Sequence, residues 1–301
     1  VDPNYYYIGL LVEDAIEYES DKYYDMGTPE FDAEVAEWIG EFENMLTVEG
    51  ISHDQVVLNL VGEPDKAAED ETLFNWAKAI QATNTDIKII VENTRSKPYD
   101  ITPEFNWYYY IDIIMPEFKD ILVWDLLDEY QDDFLVNYPE IEQMWFYEAH
   151  GSTRVIDPYT YYLARGWFEY SYGATGSIFW SFGTNGHEYE DEPQLNDYSA
   201  LGLIYTPVYF DKDNNIYTSK HWWAIRAGRE DHALLTSLNL EKDHEIILSI
   251  TQPIIDQVDD YEHEIAVSWL LPETIQRDYT ILDTKKKELW AMFGKSKVLP
   301  Q

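Results

Sequence analysis

Two glutamates fall where strands of this 301-residue chain are expected to end. The first closes Asn59-Leu60-Val61-Gly62-Glu63-Pro64, where the proline stops the strand and fixes the turn. The second lies in Trp145-Phe146-Tyr147-Glu148-Ala149-His150. In a parallel α/β barrel the reacting groups sit at the C-terminal strand ends and in the loops beyond them. Two carboxylates in such positions suit glycosidic bond cleavage, which needs a protonated acid for the leaving oxygen and an ionised group as nucleophile or base. Aromatic side chains stand at or near the same ends: Trp107, Tyr108, Trp145, Tyr147, Trp180 and Phe182. Flat rings of this kind stack on the apolar faces of sugars. His150 and His187 also lie near predicted strand mouths, as candidate substrate contacts.

A plainer reading stands beside this one. With 58 Asp and Glu residues, some carboxylates reach strand ends by chance, and Glu92 and Glu117 do so at the third and fourth strands. Trp and Tyr are abundant enough for each ring to be core. The seven histidines show no ligand spacing, so no metal site is expected. The absence of cysteine removes thiolate ligands, disulfides and a Cys nucleophile. No GxSxG, P-loop or GxGxxG pattern occurs, and no cofactor is expected. The run Asp211-Lys212-Asp213-Asn214-Asn215 lacks the glycine and distal glutamate of a calcium loop and reads as a hairpin tip.

The elements that must position these residues alternate through the first 240 positions as short apolar runs and helical patterns, the signature of repeated βα units. Six strands are predicted: Tyr5–Val12, Val56–Val61, Ile87–Val91, Tyr110–Met115, Met144–Tyr147 and Ser177–Phe182. The clearest helix has Thr28 as N-cap, Pro29 at its first position, an apolar stripe of Phe31, Val35, Trp38, Phe42 and Met45, and Gly50 as its stop. Another is predicted from Asp157-Pro158 through Tyr162, Arg165 and Phe168 to Gly173. After a polar loop from Gly183 to Asn196 come a hairpin, Leu203–Phe210 with Ile216–Thr218, and a helix from about Ser219. The pattern divides into a partial barrel domain, 1–240, and a helical extension, 241–301, that includes Trp269–Leu271 and Lys285–Phe293.

The net charge of −38 is spread along the whole chain. Such a surface repels nucleic acid and anionic membranes. It suits a protein that stays dissolved in concentrated salt, where screening relieves self-repulsion, and so predicts a halophilic source and an extracellular or cell-surface location. No apolar run of 18 residues exists, so no membrane insertion is expected. The opening Val1-Asp2-Pro3, without initiator Met or signal pattern, predicts a processed or truncated product.

The order of motifs over residues 30–240 resembles the catalytic barrel of glycoside hydrolase family 123 and related uncharacterised domains. The resemblance rests on a helix ending in Gly50-Ile51 and on Gly62-Glu63-Pro64, where the family has Asp-Glu-Pro. It continues with Ile111-Asp112-Ile113-Ile114-Met115-Pro116, Trp145-Phe146-Tyr147 and Arg165-Gly166-Trp167. Then come Tyr172-Gly173, Gly176, Phe179-Trp180-Ser181 and Gly202-Leu203-Ile204-Tyr205. Ser219 and Ala224-Ile225-Arg226-Ala227-Gly228-Arg229-Glu230-Asp231 complete it. It implies a (β/α)₈ barrel acting on a carbohydrate, with Glu63 as general acid. The family's Asp orients a substrate acetamido group, but its position is Gly62 here, and glycine cannot hold that group. Glu148 is then the candidate nucleophile of a conventional retaining pair, with carboxyls about 5 Å apart. Counting back from Glu63 makes Tyr5–Val12 the third barrel strand. Strands one and two have then been removed, lie in another chain, or are replaced in this fold. Alongside an enzyme, a catalytically inactive barrel serving as a surface glycan-binding or assembly module stays open.

Overall fold

The computed structural model describes residues 5–10, 12, 26–93, 101–118, 121, 129–148, 162–179, 208–210, 215–239, 245–254 and 280–293. The chain is a mixed α/β protein forming two compact units, Val1–Trp145 and Phe146–Gln301. Its main sheet has six parallel strands in sequential order. These are β1 (Tyr6–Gly9), β2 (Val56–Asn59), β3 (Lys88–Asn93), β4 (Ile113–Pro116), β5 (Gln143–Glu148) and β6 (Gly176–Phe179). All six predicted strands are therefore present. Backbone bonds from Leu10 to the Asn59 carbonyl and from Val12 to the Leu60 carbonyl carry the β1–β2 pairing beyond the strand proper.

In the first unit, α1 (Pro29–Glu49) and α2 (Ala67–Ala82) pack on each other, with the Phe31 and Trp76 rings 5.4 Å apart. The ends of α1 are as predicted. The Thr28 side chain accepts from the Phe31 amide, Pro29 opens the helix, and Gly50 closes it at φ 73°. The buried stripe is shifted from the expected one: Phe31 and Val35 are joined by Ile39 and Leu46, while Met45 is exposed. Spacings of 3 or 4 fit both stripes. The choice falls to the branched aliphatic residues, while Trp38 and Phe42 stack on each other at the margin, 5.7 Å apart. The N-terminus of α2 is capped by the Glu69 carboxylate, which accepts from the Asp65 and Lys66 amides at 2.7 and 3.0 Å.

The fourth strand starts later than expected, because Trp107–Tyr110 form a 3-10 turn whose Tyr108 amide is capped by Asn106. Asp112 ends that turn by exchanging bonds with Ile89 through both backbone and carboxylate.

Adjacent strands lie roughly 4.8 Å apart, so in a flat sheet β1 and β5 would be separated by about 19 Å. Instead, Gln143 of β5 donates to the Tyr5 hydroxyl at 3.0 Å, and the Tyr5 and Trp145 rings meet edge to face at 5.4 Å. Two side chains cannot span a flat sheet of that width. The sheet therefore curls, with Tyr5, Gln143 and Trp145 on its concave side.

In the second unit, β7 (Val208–Phe210) and β8 (Ile216–Thr218) form the expected antiparallel hairpin, whose connection is the run Asp211–Asn215. Residues 203–207 of the predicted first arm lie outside the described set. Helix α3 (Ala164–Ser171) ends at Gly173, φ 70°, where a stop was expected. It crosses α4 (Lys220–Asn239) at a point where the backbones touch. A Cβ built on Gly166 would lie 2.0 Å from the Gly228 carbonyl oxygen, and one on Gly228 would lie 2.5 Å from that of Tyr162. The predicted helical extension is helical at 245–254 (α5) and Thr280–Phe293 (α6). Trp269–Leu271 lie outside the described residues.

Candidate functional site

The C-terminal edge of the sheet collects polar side chains in the first unit. Residues paired across parallel strands share a face. The register Gly9↔Asn59↔Ile90 and Glu92↔Met115 therefore sets Tyr7, Gly9, Asn59 and Glu92 on one side, that of Tyr5, Gln143 and Trp145. The Tyr7 hydroxyl donates to Glu92 Oε1 at 2.8 Å and accepts from Asn59 Nδ2 at 2.6 Å. Burial, followed by the neighbouring Glu92 carboxylate, pushes the Tyr7 phenol well above its ordinary value, so its proton stays on.

That proton fixes the orientation of Asn59. Tyr7 gives its only hydrogen to Glu92 and offers a lone pair to Asn59, so the asparagine must present its NH₂ to tyrosine. Its Oδ1 is left buried with no hydrogen-bond partner, in a residue only 2% exposed. A buried unpaired carbonyl costs about 1–3 kcal/mol.

Glu63 follows in the loop after β2. It is exposed, and its backbone is left-handed at φ 50°. Left-handed backbone is uncommon for a non-glycine residue, costs of order 1–3 kcal/mol, and is concentrated at functional positions. Glu117, just past β4, is buried. Glu148 is the last residue of β5, but its side chain lies outside the described set. His150, Trp180, Phe182 and His187 lie outside it altogether.

The rings divide. Trp107 and Tyr108 do not form a sugar platform: both are fully buried in the turn that leads into β4, at the opposite end of that strand from its mouth. The Trp107 indole donates to Asp70 at 2.9 Å, and Asp70 also accepts from the Thr102 amide and hydroxyl. Tyr108 packs on Phe134 and Tyr138, with centroids 4.6 and 5.0 Å away. Trp145 is on the concave face, its indole bonded to Gln143 Oε1 at 3.0 Å. Tyr147 is buried in the second unit.

Sequence reasoning set Glu92 aside as a chance carboxylate and did not single out Tyr7 or Asn59. One signal was available for Asn59, the lone polar residue within the apolar run Val56–Val61. Among the described residues no cluster of His, Asp and Glu could hold a metal, and no helix is long and apolar enough to cross a membrane.

Fold and site together define a parallel α/β protein with a curled sheet and a Tyr–Glu–Asn network at its C-terminal edge. No protein-family model and no curated protein matches the chain.

Proposed function

We propose that the chain is a glycosidase-like protein acting on a glycan, its curled sheet being part of the wall of a (β/α)₈ barrel. The observation that carries this reading is the edge carboxylate Glu92, held by Tyr7, on the same sheet edge as the left-handed Glu63. A phenol that donates to a carboxylate favours its ionised form, as a nucleophile or charge stabiliser requires. Exposed Glu63 takes the part of general acid/base, with Glu148 the candidate nucleophile and Glu92 a second claimant to that role. Trp145, Tyr147, Trp180 and His150 are the remaining substrate contacts. The charge of −38 supports work in concentrated salt outside the cell.

The test is turnover of aryl glycosides, N-acetylhexosaminides among them, in molar KCl. Glu63→Gln should slow substrates with poor leaving groups roughly 100- to 10,000-fold and activated ones far less, because only the former need the proton. Of Glu92→Gln and Glu148→Gln, the one that abolishes turnover on activated substrates too is the nucleophile. No turnover by folded protein on any substrate sinks the enzymatic reading.

Gly62 in place of the family's Asp, and the burial of Trp107 and Tyr108, favour a second reading: an inactive barrel that binds a surface glycan. Glycan binding without turnover, unchanged by Glu63→Gln, is its expected signature.

A further inference from the structure

The inner side of β1 carries two exposed rings whose hydroxyls are differently committed. Tyr5 is 41% and Tyr7 38% exposed, and residues two apart along an extended strand stand on one face, roughly 6.7 Å from each other. Tyr7 has no hydrogen to offer, since its own goes to Glu92 Oε1. Tyr5 is the opposite case. The Trp145 indole nitrogen only donates, so the oxygen of the Gln143 amide must face it, at 3.0 Å. The amide NH₂ is thereby turned to Tyr5, whose oxygen accepts at 3.0 Å in an exposed bond. The Tyr5 hydrogen is left over, and among the described residues no acceptor takes it.

Charge narrows what such a face takes. Glu92 borders it through Tyr7. Lys88, level with Tyr7 in the β1–β3 register, is already held by Glu142 at 2.7 Å and Asp112 at 3.9 Å. An anionic ligand would therefore meet a carboxylate and a cation already paired, in a chain of net charge −38. A neutral sugar suits each part: its C–H faces lie on the rings, its oxygens accept from a phenol, and its hydroxyls donate to a carboxylate.

We propose that Tyr5 and Tyr7 form a platform for a neutral oligosaccharide, on which the Tyr5 hydroxyl donates to a sugar oxygen and the Glu92 carboxylate accepts from a sugar hydroxyl. Tyr5 is a binding residue, and Gln143 is its positioning residue, itself held by Trp145. The platform rests on the glycan reading and adds to it the class of sugar and the rings that stand in for buried Trp107 and Tyr108.

The experiment is titration of the whole chain with cellotetraose, xylotetraose, mannotetraose and maltotetraose, and with tetragalacturonate as the acidic counterpart, read by calorimetry and by the tyrosine ring resonances. A bound neutral sugar should shift the Tyr5 and Tyr7 resonances, and tetragalacturonate should bind more weakly in dilute buffer. Tyr5→Phe should weaken the neutral sugar roughly threefold to tenfold, the loss of one hydrogen bond between neutral groups. Tyr5→Ala removes the ring as well and should weaken it at least about tenfold. Tyr6→Ala, on the opposite face of the same strand and 47% exposed, should change nothing. Gln143→Leu should weaken binding about threefold in the parent and not at all in Tyr5→Phe, because it acts through that hydroxyl. Binding unchanged by Tyr5→Phe and Tyr5→Ala, or weakened as much by Tyr6→Ala, overturns the platform and leaves the glycan reading standing. Tetragalacturonate bound as tightly as the neutral sugars in dilute buffer overturns the assignment to neutral sugars. A parent that binds none of the five overturns both the platform and the glycan reading.

Discussion

Gly166→Ala should collapse the second unit or cost it at least about 3 kcal/mol, the upper range for overpacking a native contact. The added methyl would sit 2.0 Å from the Gly228 carbonyl oxygen and 2.7 Å from its carbon, well inside van der Waals contact. The obstacle is backbone, so no rotamer change relieves it. α3 and α4 must separate, and with them Trp167 from Asp231, whose bond spans 3.1 Å. A matched control lies in the first unit. Gly40 is inside α1, a Cβ there meets nothing within 4 Å, and Gly40→Ala should stabilise by roughly 0.5–1 kcal/mol through helix propensity. Urea unfolding of the parent and both variants checks the pair. A Gly166→Ala midpoint within error of the parent would show that the helices cross with more room than described.

That crossing gives a structural role to two of the motifs singled out in the sequence. Arg165-Gly166-Trp167 and Gly228-Arg229-Glu230-Asp231 are about 60 residues apart in the chain, and neither reads as a catalytic motif. In space they are the two halves of one junction: glycine on glycine, tryptophan on aspartate, and two arginines on Glu169. Such a pattern reports packing geometry and says little about substrate.

What the sequence disclosed follows how local each signal is. Thr28, Pro29 and Gly50 were legible because a cap is decided within four residues. The strands were legible as apolar runs. Which side of a strand faces inward was not, because Val56–Asn59 is buried throughout and shows no alternation. Only the pairing of Asn59 with Gly9 and Ile90, and of Glu92 with Met115, reveals the shared face. Trp107 and Tyr108 precede even the predicted strand Tyr110–Met115, so they stand at its entry and not its mouth, and the turn Trp107–Tyr110 buries them there.

Glu169→Gln should cost about 3 kcal/mol at neutral pH, the low end for breaking a buried ion cluster, since Arg229 remains partly solvated. Arg165 Nε donates to Glu169 at 2.7 Å with both side chains buried, and Arg229 adds a contact at 2.7 Å. Removing the carboxylate takes from Arg165 the charged acceptor at its Nε, and the Phe146 and Ile178 carbonyls, at 3.3 and 3.1 Å from its Nη2, are neutral. The exposed pair Arg226–Glu230, at 2.9 Å within α4, should be worth no more than about 0.5 kcal/mol in the same assay. Burial separates the two cases, since the distances are alike. The pH dependence has a definite sign. Burial alone would raise the Glu169 carboxyl, but the Arg229 and Arg165 guanidiniums outweigh it and hold it below its ordinary value. A depressed carboxyl contributes its stability above the unfolded value and loses it as pH falls through the folded one. The parent's advantage over Glu169→Gln should therefore be full at neutral pH and shrink below about pH 4.3, the unfolded value of a glutamate. His232 is kept neutral mainly by burial and also feels Glu169, so both proteins should carry His232→Gln. Asp231, which burial pushes upward against Lys286 and Trp167, titrates in the opposite sense but is common to both and cancels. A gap that stays constant from pH 7 to pH 3 would mean that Glu169 acts by shape and not by charge.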